Sequence, residues 1–161
     1  MKVAINGFGR IGRIALRLLE NDKDLEVVAV NSRGTSEELA YLYKYDTAHR
    51  TSKSKISFDE DSMIINGKHI KVFAEDDPST LPWKELEIDI VLECTGVFTT
   101  KEACKAHINA GAKHVLISTP AKDECKTIVY GVNEEILSLD DDIISCASCT
   151  TNCLAPVLKL I

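Results

Sequence analysis

The feature that most constrains the fold lies at the start of the chain, where an apolar run meets three closely spaced glycines. Residues 3–5 are typical of a buried strand, and from Ile11 onward the apolar residues recur at helical spacing. Gly7, Gly9 and Gly12 lie between them. In this G-x-G-x-x-G spacing the first glycine permits a tight turn, the second lets a pyrophosphate approach the backbone and the third lets helix pack on strand. The sequence therefore predicts a dinucleotide-binding turn, and a turn that serves packing alone is the alternative.

Strand-like and helix-like segments alternate along the rest of the chain. Strands are expected at residues 25–31, 88–94, 114–118, 127–130 and 143–146, and helices at 36–44 and 101–110. Asn66-Gly67 between two apolar-rich runs predicts an antiparallel hairpin over residues 62–73. This alternation is typical of an α/β protein. We therefore predict a doubly wound, Rossmann-type, mostly parallel sheet with an inserted antiparallel hairpin.

The composition narrows the possible partners. The chain has 161 residues, with 19 basic against 25 acidic side chains and a net charge of -6, and its lysines and arginines form no stripe. This balance argues against a nucleic-acid partner or an anionic membrane surface. No apolar run approaches the roughly 20 residues that span a bilayer. A cytoplasmic protein with reduced cysteines is expected, and the acidic run at 140–142 is interpreted as a solvated turn rather than a metal site.

The end of the second predicted strand bears on cofactor choice. Dinucleotide folds usually place an acidic residue there to bind the adenosine ribose, whereas this chain has Asn31-Ser32-Arg33. With no carboxylate to repel a 2′-phosphate and a guanidinium adjacent, the segment favours NADP or tolerance of both NADP and NAD. The alternative is that Arg33 is a solvated loop residue and that NAD binds without the usual acid.

A cysteine near the end of the chain is the candidate nucleophile. Cys149 follows the last predicted strand at the start of a helix for which Ser148 is the expected N-cap. The positive end of a helix favours thiolate over thiol, and the parallel sheet brings this position to the same edge as the glycine turn. Cys153, one turn later, is expected to face packing. A metal site formed with Cys146 is the rival interpretation, but the spacing fits no zinc or iron–sulfur pattern.

Six stretches, in order along the whole chain, match one family: residues 6–13, 44–46, 81–83, 93–96, 110–113 and, most specifically, 147–156 with the sequence ASCTTNCLAP. Through them the chain resembles the amino-terminal half of the phosphorylating glyceraldehyde-3-phosphate dehydrogenases. Ser32, Asp76 and Cys146 depart from the family's usual Asp, Arg and Asn. The resemblance extends more weakly to erythrose-4-phosphate dehydrogenases, and an aspartate-semialdehyde dehydrogenase is a distant third possibility.

The resemblance implies a mechanism and a set of site residues. Cys149 would attack the aldehyde of glyceraldehyde 3-phosphate, hydride would pass to NAD or NADP, and inorganic phosphate would release 1,3-bisphosphoglycerate from the thioester. Ser148 and Thr150 would flank the substrate or its phosphate. The cofactor would be held by residues from the glycine turn and from the ends of three later strands: Asn6, Gly7, Phe8, Gly9, Arg10, Ile11, Asn31, Ser32, Arg33, Thr95, Gly96 and Ser118.

The resemblance also implies that the chain is one part of a larger enzyme. Residues 1–148 would be the dinucleotide-binding domain, and residues 149–161 the start of a helix leading to a catalytic domain that supplies the histidine base. The full-length protein would be a homotetramer. The chain alone is then expected to bind dinucleotide without turnover. It is also expected to self-associate through the apolar residues of that helix, namely Leu154, Val157, Leu158 and Ile161.

Overall fold

The computed structural model describes every residue from Met1 to Ile161. It contains eight strands and five helices, in the order β1 (Lys2–Asn6), α1 (Arg10–Leu19), β2 (Glu26–Asn31), α2 (Ser36–Lys44), β3 (Ile56–Phe58), β4 (Ser62–Ile65), β5 (Lys68–Phe73), α3 (Trp83–Leu86), β6 (Ile90–Glu93), α4 (Lys101–Asn109), β7 (His114–Ile117), β8 (Ile143–Ser145) and α5 (Cys149–Leu160). Short 3₁₀ turns lie at Pro78–Thr80 and Glu134–Ile136. None of the helices has both the length and the apolar character needed to span a bilayer.

All eight strands form one sheet, in the order β3-β4-β5-β2-β1-β6-β7-β8. From β5 to β8 the neighbours pair in parallel, while β3, β4 and β5 pair antiparallel. Asn66 and Gly67 both have positive φ, 52° and 84°, as the predicted tight hairpin requires. The predicted fold is therefore confirmed. The carboxyl ends of six parallel strands meet at one edge, where open α/β sheets bind ligands.

The core lies on both faces of the sheet. On one face, α1 and α2 cover β1 and β2 through residues such as Ile5, Leu16 and Tyr43, and on the other face Trp83 and α4 cover β6 and β7. Trp83 is fully buried. One area stays uncovered: on the face opposite α4, apolar side chains of α1, β6 and β7, including Leu18 and Leu116, line an open groove of about 260 Å³.

Two expectations are wrong. Residues 127–130 do not form a strand, and only Thr127 makes an isolated bridge, to Ser145. The reason is local: the Asn133 side chain accepts the N–H of Val129 at 2.8 Å, which folds the segment into a turn. Cys153 does not face packing either. It is exposed, because α5 contains no buried residue in this chain.

Candidate functional site

The glycine turn between β1 and α1 needs two of its glycines for packing and leaves the third open. Gly7 has a φ of 94°, and a Cβ there would lie 2.7 Å from the backbone nitrogen of Thr95. A Cβ on Gly12 would lie 2.2 Å from the carbonyl oxygen of Gly7. A Cβ on Gly9 would meet no atom within 4 Å. Close packing therefore explains Gly7 and Gly12, while the space above Gly9 is free for a ligand.

A cleft of about 360 Å³ opens above this turn. Its walls come from the ends of β1, β2 and β6 and from the segment after β5. Eight of the predicted cofactor residues line it: Asn6, Gly7, Phe8, Gly9, Asn31, Ser32, Arg33 and Thr95. Glu75, Asp76, Cys94, Val97 and Phe98 complete the lining. The glycine turn and the ends of two neighbouring strands thus converge on one cleft.

The remaining predicted residues lie around this cleft rather than in its lining. Arg10 and Ile11 form the first turn of α1 and are exposed. Gly96 follows Thr95 on the surface with a φ of 73°. Ser118 follows β7, and its backbone N–H donates to the carbonyl oxygen of Glu93 at 3.0 Å. Arg10 and Ile11 therefore place the free N–H groups of the α1 N-terminus beside the cleft, in the arrangement that binds phosphate.

Beneath the cleft lies a buried polar network that the sequence does not predict. Glu93, at the end of β6, is 1% exposed. Its Oε1 accepts the N–H of Thr95 at 2.8 Å and also the Thr95 hydroxyl. Its Oε2 accepts Asn6 Nδ2 at 2.5 Å and His107 Nε2 at 3.1 Å. Trp83 Nε1 donates to His107 Nδ1 at 3.0 Å. Because that nitrogen accepts a hydrogen bond, the proton of the neutral imidazole lies on Nε2 and points at Glu93.

The same network extends across the end of β2. Asn31 Nδ2 donates to Asn6 Oδ1 at 2.7 Å and to the carbonyl oxygen of Glu75 at 2.9 Å, while Asn31 Oδ1 accepts the N–H of Glu75. The side chains of Asn6 and Asn31 are thus occupied below the cleft. Their contribution to the site is to fix the backbone that surrounds it.

Arg33 is paired at the surface. Its Nε lies 2.9 Å from Asp76 Oδ1, and the two side chains are 87% and 77% exposed. An exposed ion pair of this kind contributes little to stability, so a ligand phosphate can compete for the guanidinium. The sequence predicts Arg33 either beside a bound 2′-phosphate or in solvent. Neither prediction includes the ion pair with Asp76.

Cys149 is the first residue of α5 and is exposed. Ser148 is the N-cap: its hydroxyl accepts the N–H of Thr151 at 2.9 Å and lies 3.0 Å from the Thr150 hydroxyl. The cap is held in place by Asn152, whose Nδ2 donates to the carbonyl oxygens of Cys146 and Ser148. The thiol therefore stands at the positive end of a twelve-residue helix, open to solvent.

The other cysteines show why this thiol differs. Burial raises the pKa of Cys94 to about 11 and that of Cys104 to about 12. Burial also raises the pKa of Cys125 and of Cys146. All four thiols are therefore held in the neutral, unreactive form near pH 7. Cys149 and Cys153 are the two exposed thiols, and of these only Cys149 lies in the first turn of the helix.

The topology relates the thiol to the cleft. The glycine turn follows β1 and Cys149 follows β8, and both strands end at the same edge because β1, β6, β7 and β8 are parallel. Three interstrand spacings of about 4.8 Å separate β1 from β8, a distance of about 14 Å. Ser118 lies between them, at the end of β7.

Comparison with known proteins identifies the family. The model of the NAD-binding domain of glyceraldehyde 3-phosphate dehydrogenase matches residues 1–101. The glyceraldehyde-3-phosphate dehydrogenase of Clostridium pasteurianum is 55% identical over 160 residues, which cover 99% of this chain and 48% of that protein. The enzymes of the same name from Thermotoga maritima and Zymomonas mobilis are 52% and 55% identical, over 99% and 100% of this chain and 49% of each relative.

The chain thus spans about half the length of the curated relatives it matches. Its glycine turn, its cleft and the exposed cysteine at a helix N-terminus all lie within the aligned region. With this identity maintained along its whole length, the chain belongs to the glyceraldehyde-3-phosphate dehydrogenase family.

Proposed function

We propose that this chain is the NAD-binding part of a phosphorylating glyceraldehyde-3-phosphate dehydrogenase and carries its nucleophile, Cys149. The observation that supports this most strongly is the common sheet edge shared by the glycine turn and the Cys149 helix. The space above Gly9 is open to a ligand, since a Cβ placed there would meet no atom of a non-neighbouring residue within 4 Å. NAD held in this site would supply the acceptor for the hydride that leaves the substrate.

Cys149 supplies the nucleophile for the covalent chemistry. The Cys149 thiolate forms a C–S bond to the aldehyde carbon of glyceraldehyde 3-phosphate while the carbonyl oxygen takes up the proton that the thiol gave up. The hydroxyl of the resulting hemithioacetal then loses that proton as hydride leaves the same carbon for the bound cofactor. The thioester that results is attacked by an oxygen of inorganic phosphate. The C–S bond breaks, 1,3-bisphosphoglycerate leaves and the thiolate returns. Ser148 and Thr150, whose hydroxyls lie 3.0 Å apart beside the thiol, are the proposed contacts for the substrate or its phosphate.

The proton of the hemithioacetal needs a base that these residues do not provide. His107 is engaged in the buried network, and His114 is the first residue of β7, with its Nδ1 3.3 Å from the carbonyl oxygen of Asp141. His49 and His69 contact Asp46 and Asp59 on the surface. The relatives are about twice as long as this chain. We therefore propose that residues 1–148 are the cofactor domain, that residues 149–161 lead into a second domain bearing the base, and that the full-length protein is a homotetramer.

Two assays test the proposal. Isothermal titration is expected to show NAD binding to the chain, and a spectrophotometric assay with glyceraldehyde 3-phosphate, phosphate and NAD is expected to show no turnover. Absence of NAD binding would contradict the proposed function. Turnover by the chain alone would contradict the claim that the base lies elsewhere. Erythrose 4-phosphate, offered in place of glyceraldehyde 3-phosphate to a full-length form, decides between the two phosphosugars.

We further propose that NADP is accepted as well as NAD, with Arg33 binding the 2′-phosphate in place of Asp76. Two opposite variants test this. Arg33→Ala is expected to weaken NADP binding and to leave NAD binding unchanged, while Asp76→Asn frees the guanidinium and is expected to strengthen NADP binding. If NADP affinity is the same in both variants, the proposal for the ribose pocket is wrong.

A further inference from the structure

The buried network below the cleft connects the two walls of the proposed dinucleotide site. The Asn6 amide, at the end of β1, and the turn at Thr95, at the end of β6, both hydrogen-bond to the Glu93 carboxylate. The four donors around Glu93 divide evenly, two on each oxygen. A carboxylate is the side chain that can accept bonds on both oxygens and donate none.

The orientation of His107 requires that the Oε2 side of residue 93 be a hydrogen-bond acceptor. Trp83 donates to Nδ1 of the imidazole, so Nε2 must donate, and the atom that it meets must be an acceptor. Asn6 Nδ2 is likewise a donor, and its own Oδ1 is taken by Asn31. The Oε2 side of Glu93 is therefore fixed by groups with less than 2% of their surface exposed.

The Oε1 side of Glu93 orients the surface. Thr95 itself is exposed, but its N–H and its hydroxyl both point inward to Glu93. The Thr95 hydroxyl oxygen then accepts the N–H of Val97 at 3.0 Å, which shapes the turn through Gly96. The backbone of Thr95 also packs directly against Gly7 of the glycine turn. The position of Thr95 and Gly96 relative to the cleft thus depends on one buried oxygen.

We propose that Glu93 is a positioning residue that holds the Thr95-Gly96 turn against the dinucleotide cleft, with His107 and Trp83 fixing the orientation of its carboxylate. This rests on the proposed function, because it assigns Glu93 a role in binding the same cofactor. The turn lies at the end of β6, on the far side of β1 from Ser32 and Arg33. Through Thr95, Glu93 therefore acts on the nicotinamide side of the cleft, whereas the Asn6 and Asn31 bonds that lead to the adenosine side depend on its other oxygen.

Glu93→Gln separates the two sides of the carboxylate. The glutamine side-chain amide can take two orientations. The more favourable one leaves its oxygen bonded to His107 and Asn6 and places its NH₂ group against the Thr95 N–H. Because Thr95 is exposed, its N–H can hydrogen-bond to water instead. The bonds among the residue at position 93, His107 and Asn6 are then kept, and the Thr95-Gly96 turn loses its bond to that residue. The control is Glu87→Gln, the same chemical change at the opposite edge of the sheet, where Glu87 pairs with Lys2 at the surface.

Titrations with NAD and with AMP decide the question. Glu93→Gln is expected to raise the Kd for NAD about tenfold, the equivalent of about 1.4 kcal/mol, and to leave the Kd for AMP within about twofold of the parent. Glu87→Gln is expected to change neither. A Kd for NAD in Glu93→Gln equal to that of the parent overturns the positioning role, as does an equal loss of AMP binding. If the parent binds neither NAD nor AMP, the proposed function itself fails.

Amide exchange in the unsubstituted chain provides a second test, which holds even if Glu93→Gln does not fold. The Thr95 N–H is expected to exchange slowly with solvent although the residue is exposed, because Glu93 accepts it. The amide of exposed Gly96 gives the comparison in the same turn. Exchange of the Thr95 amide as fast as that of an unprotected amide would overturn the proposal.

Discussion

Replacing Gly9 with alanine tests whether the glycine turn is built for a ligand or for packing. Gly9 has a φ of -75°, outside the left-handed region that favours glycine, and a ψ of -158° at the edge of the β region, and its Cβ would meet no atom of a non-neighbouring residue within 4 Å. Alanine is a poorer N-cap than glycine by up to about 1 kcal/mol. It also lowers the entropy of the unfolded chain, which is worth about 0.4–1 kcal/mol. The two effects offset, so the free energy of unfolding should change by less than about 1 kcal/mol.

Dinucleotide binding should respond very differently. A phosphate oxygen that accepts from a backbone N–H lies about 2.9 Å from the nitrogen, and the new methyl group would occupy the space through which it approaches. Loss of one hydrogen bond to a charged group costs about 1.5–3 kcal/mol. We therefore expect Gly9→Ala to raise the Kd for NAD at least tenfold while the Tm stays within about 4 °C of the parent.

Gly12→Ala is the matched control. Its Cβ would lie 2.2 Å from the carbonyl oxygen of Gly7, a backbone atom that cannot move aside, so this variant should lose at least about 2 kcal/mol of stability. Thermal unfolding by circular dichroism and isothermal titration with NAD measure both quantities. Binding of NAD by Gly9→Ala with the affinity of the parent would refute the ligand interpretation of the turn.

Three further outcomes are expected. Trp83→Phe leaves the buried Nδ1 of His107 without a donor and should reduce the free energy of unfolding in urea by about 1–3 kcal/mol; unchanged stability would contradict the network. The hydrogen bond from Lys113 lowers the pKa of Asp89, so the stability that this carboxylate contributes is present above pH 3.8 and is lost as the pH falls through the lower pKa of the folded state. The free energies of unfolding in urea of Asp89→Asn and its parent should therefore differ at pH 7 and converge at low pH. The same difference at both pH values would contradict this. Leu158 is 60% exposed on the apolar side of α5, so light scattering should show self-association of the chain. Leu158→Glu should reduce this self-association. A monomeric parent chain at high concentration would contradict the prediction.

Local chemistry explains where the sequence predicts the fold well. Helix α2 begins where expected because Thr35 and Glu38 form a capping box, and the hairpin forms because Asn66 and Gly67 tolerate positive φ. The strand expected at residues 127–130 fails because Asn133, outside the segment, captures the N–H of Val129. A β-branched run predicts a strand only while its backbone groups remain free to pair with a neighbour.

Parts of the candidate site were likewise predictable from local sequence, and one part was not. The glycine turn and the Cys149 helix start are continuous in sequence and were predictable from spacing and capping. The Glu93 network was not, because Trp83 and His107 lie 24 residues apart and Asn6 and His107 lie 101 apart. Glu93 gave one signal: an acidic residue at the end of a strand that is otherwise apolar and buried, where a carboxylate needs partners.

The proposed function requires that NAD bound over the glycine turn reaches Cys149 along the shared sheet edge, and selective alkylation tests this directly. Iodoacetamide modifies exposed thiols, and Cys153, exposed on the same helix, serves as an internal reference. Saturating NAD should slow the alkylation of Cys149 and leave that of Cys153 unchanged, while saturating AMP, which fills only the adenosine side, should protect neither. Equal alkylation of Cys149 with and without bound NAD would contradict the account.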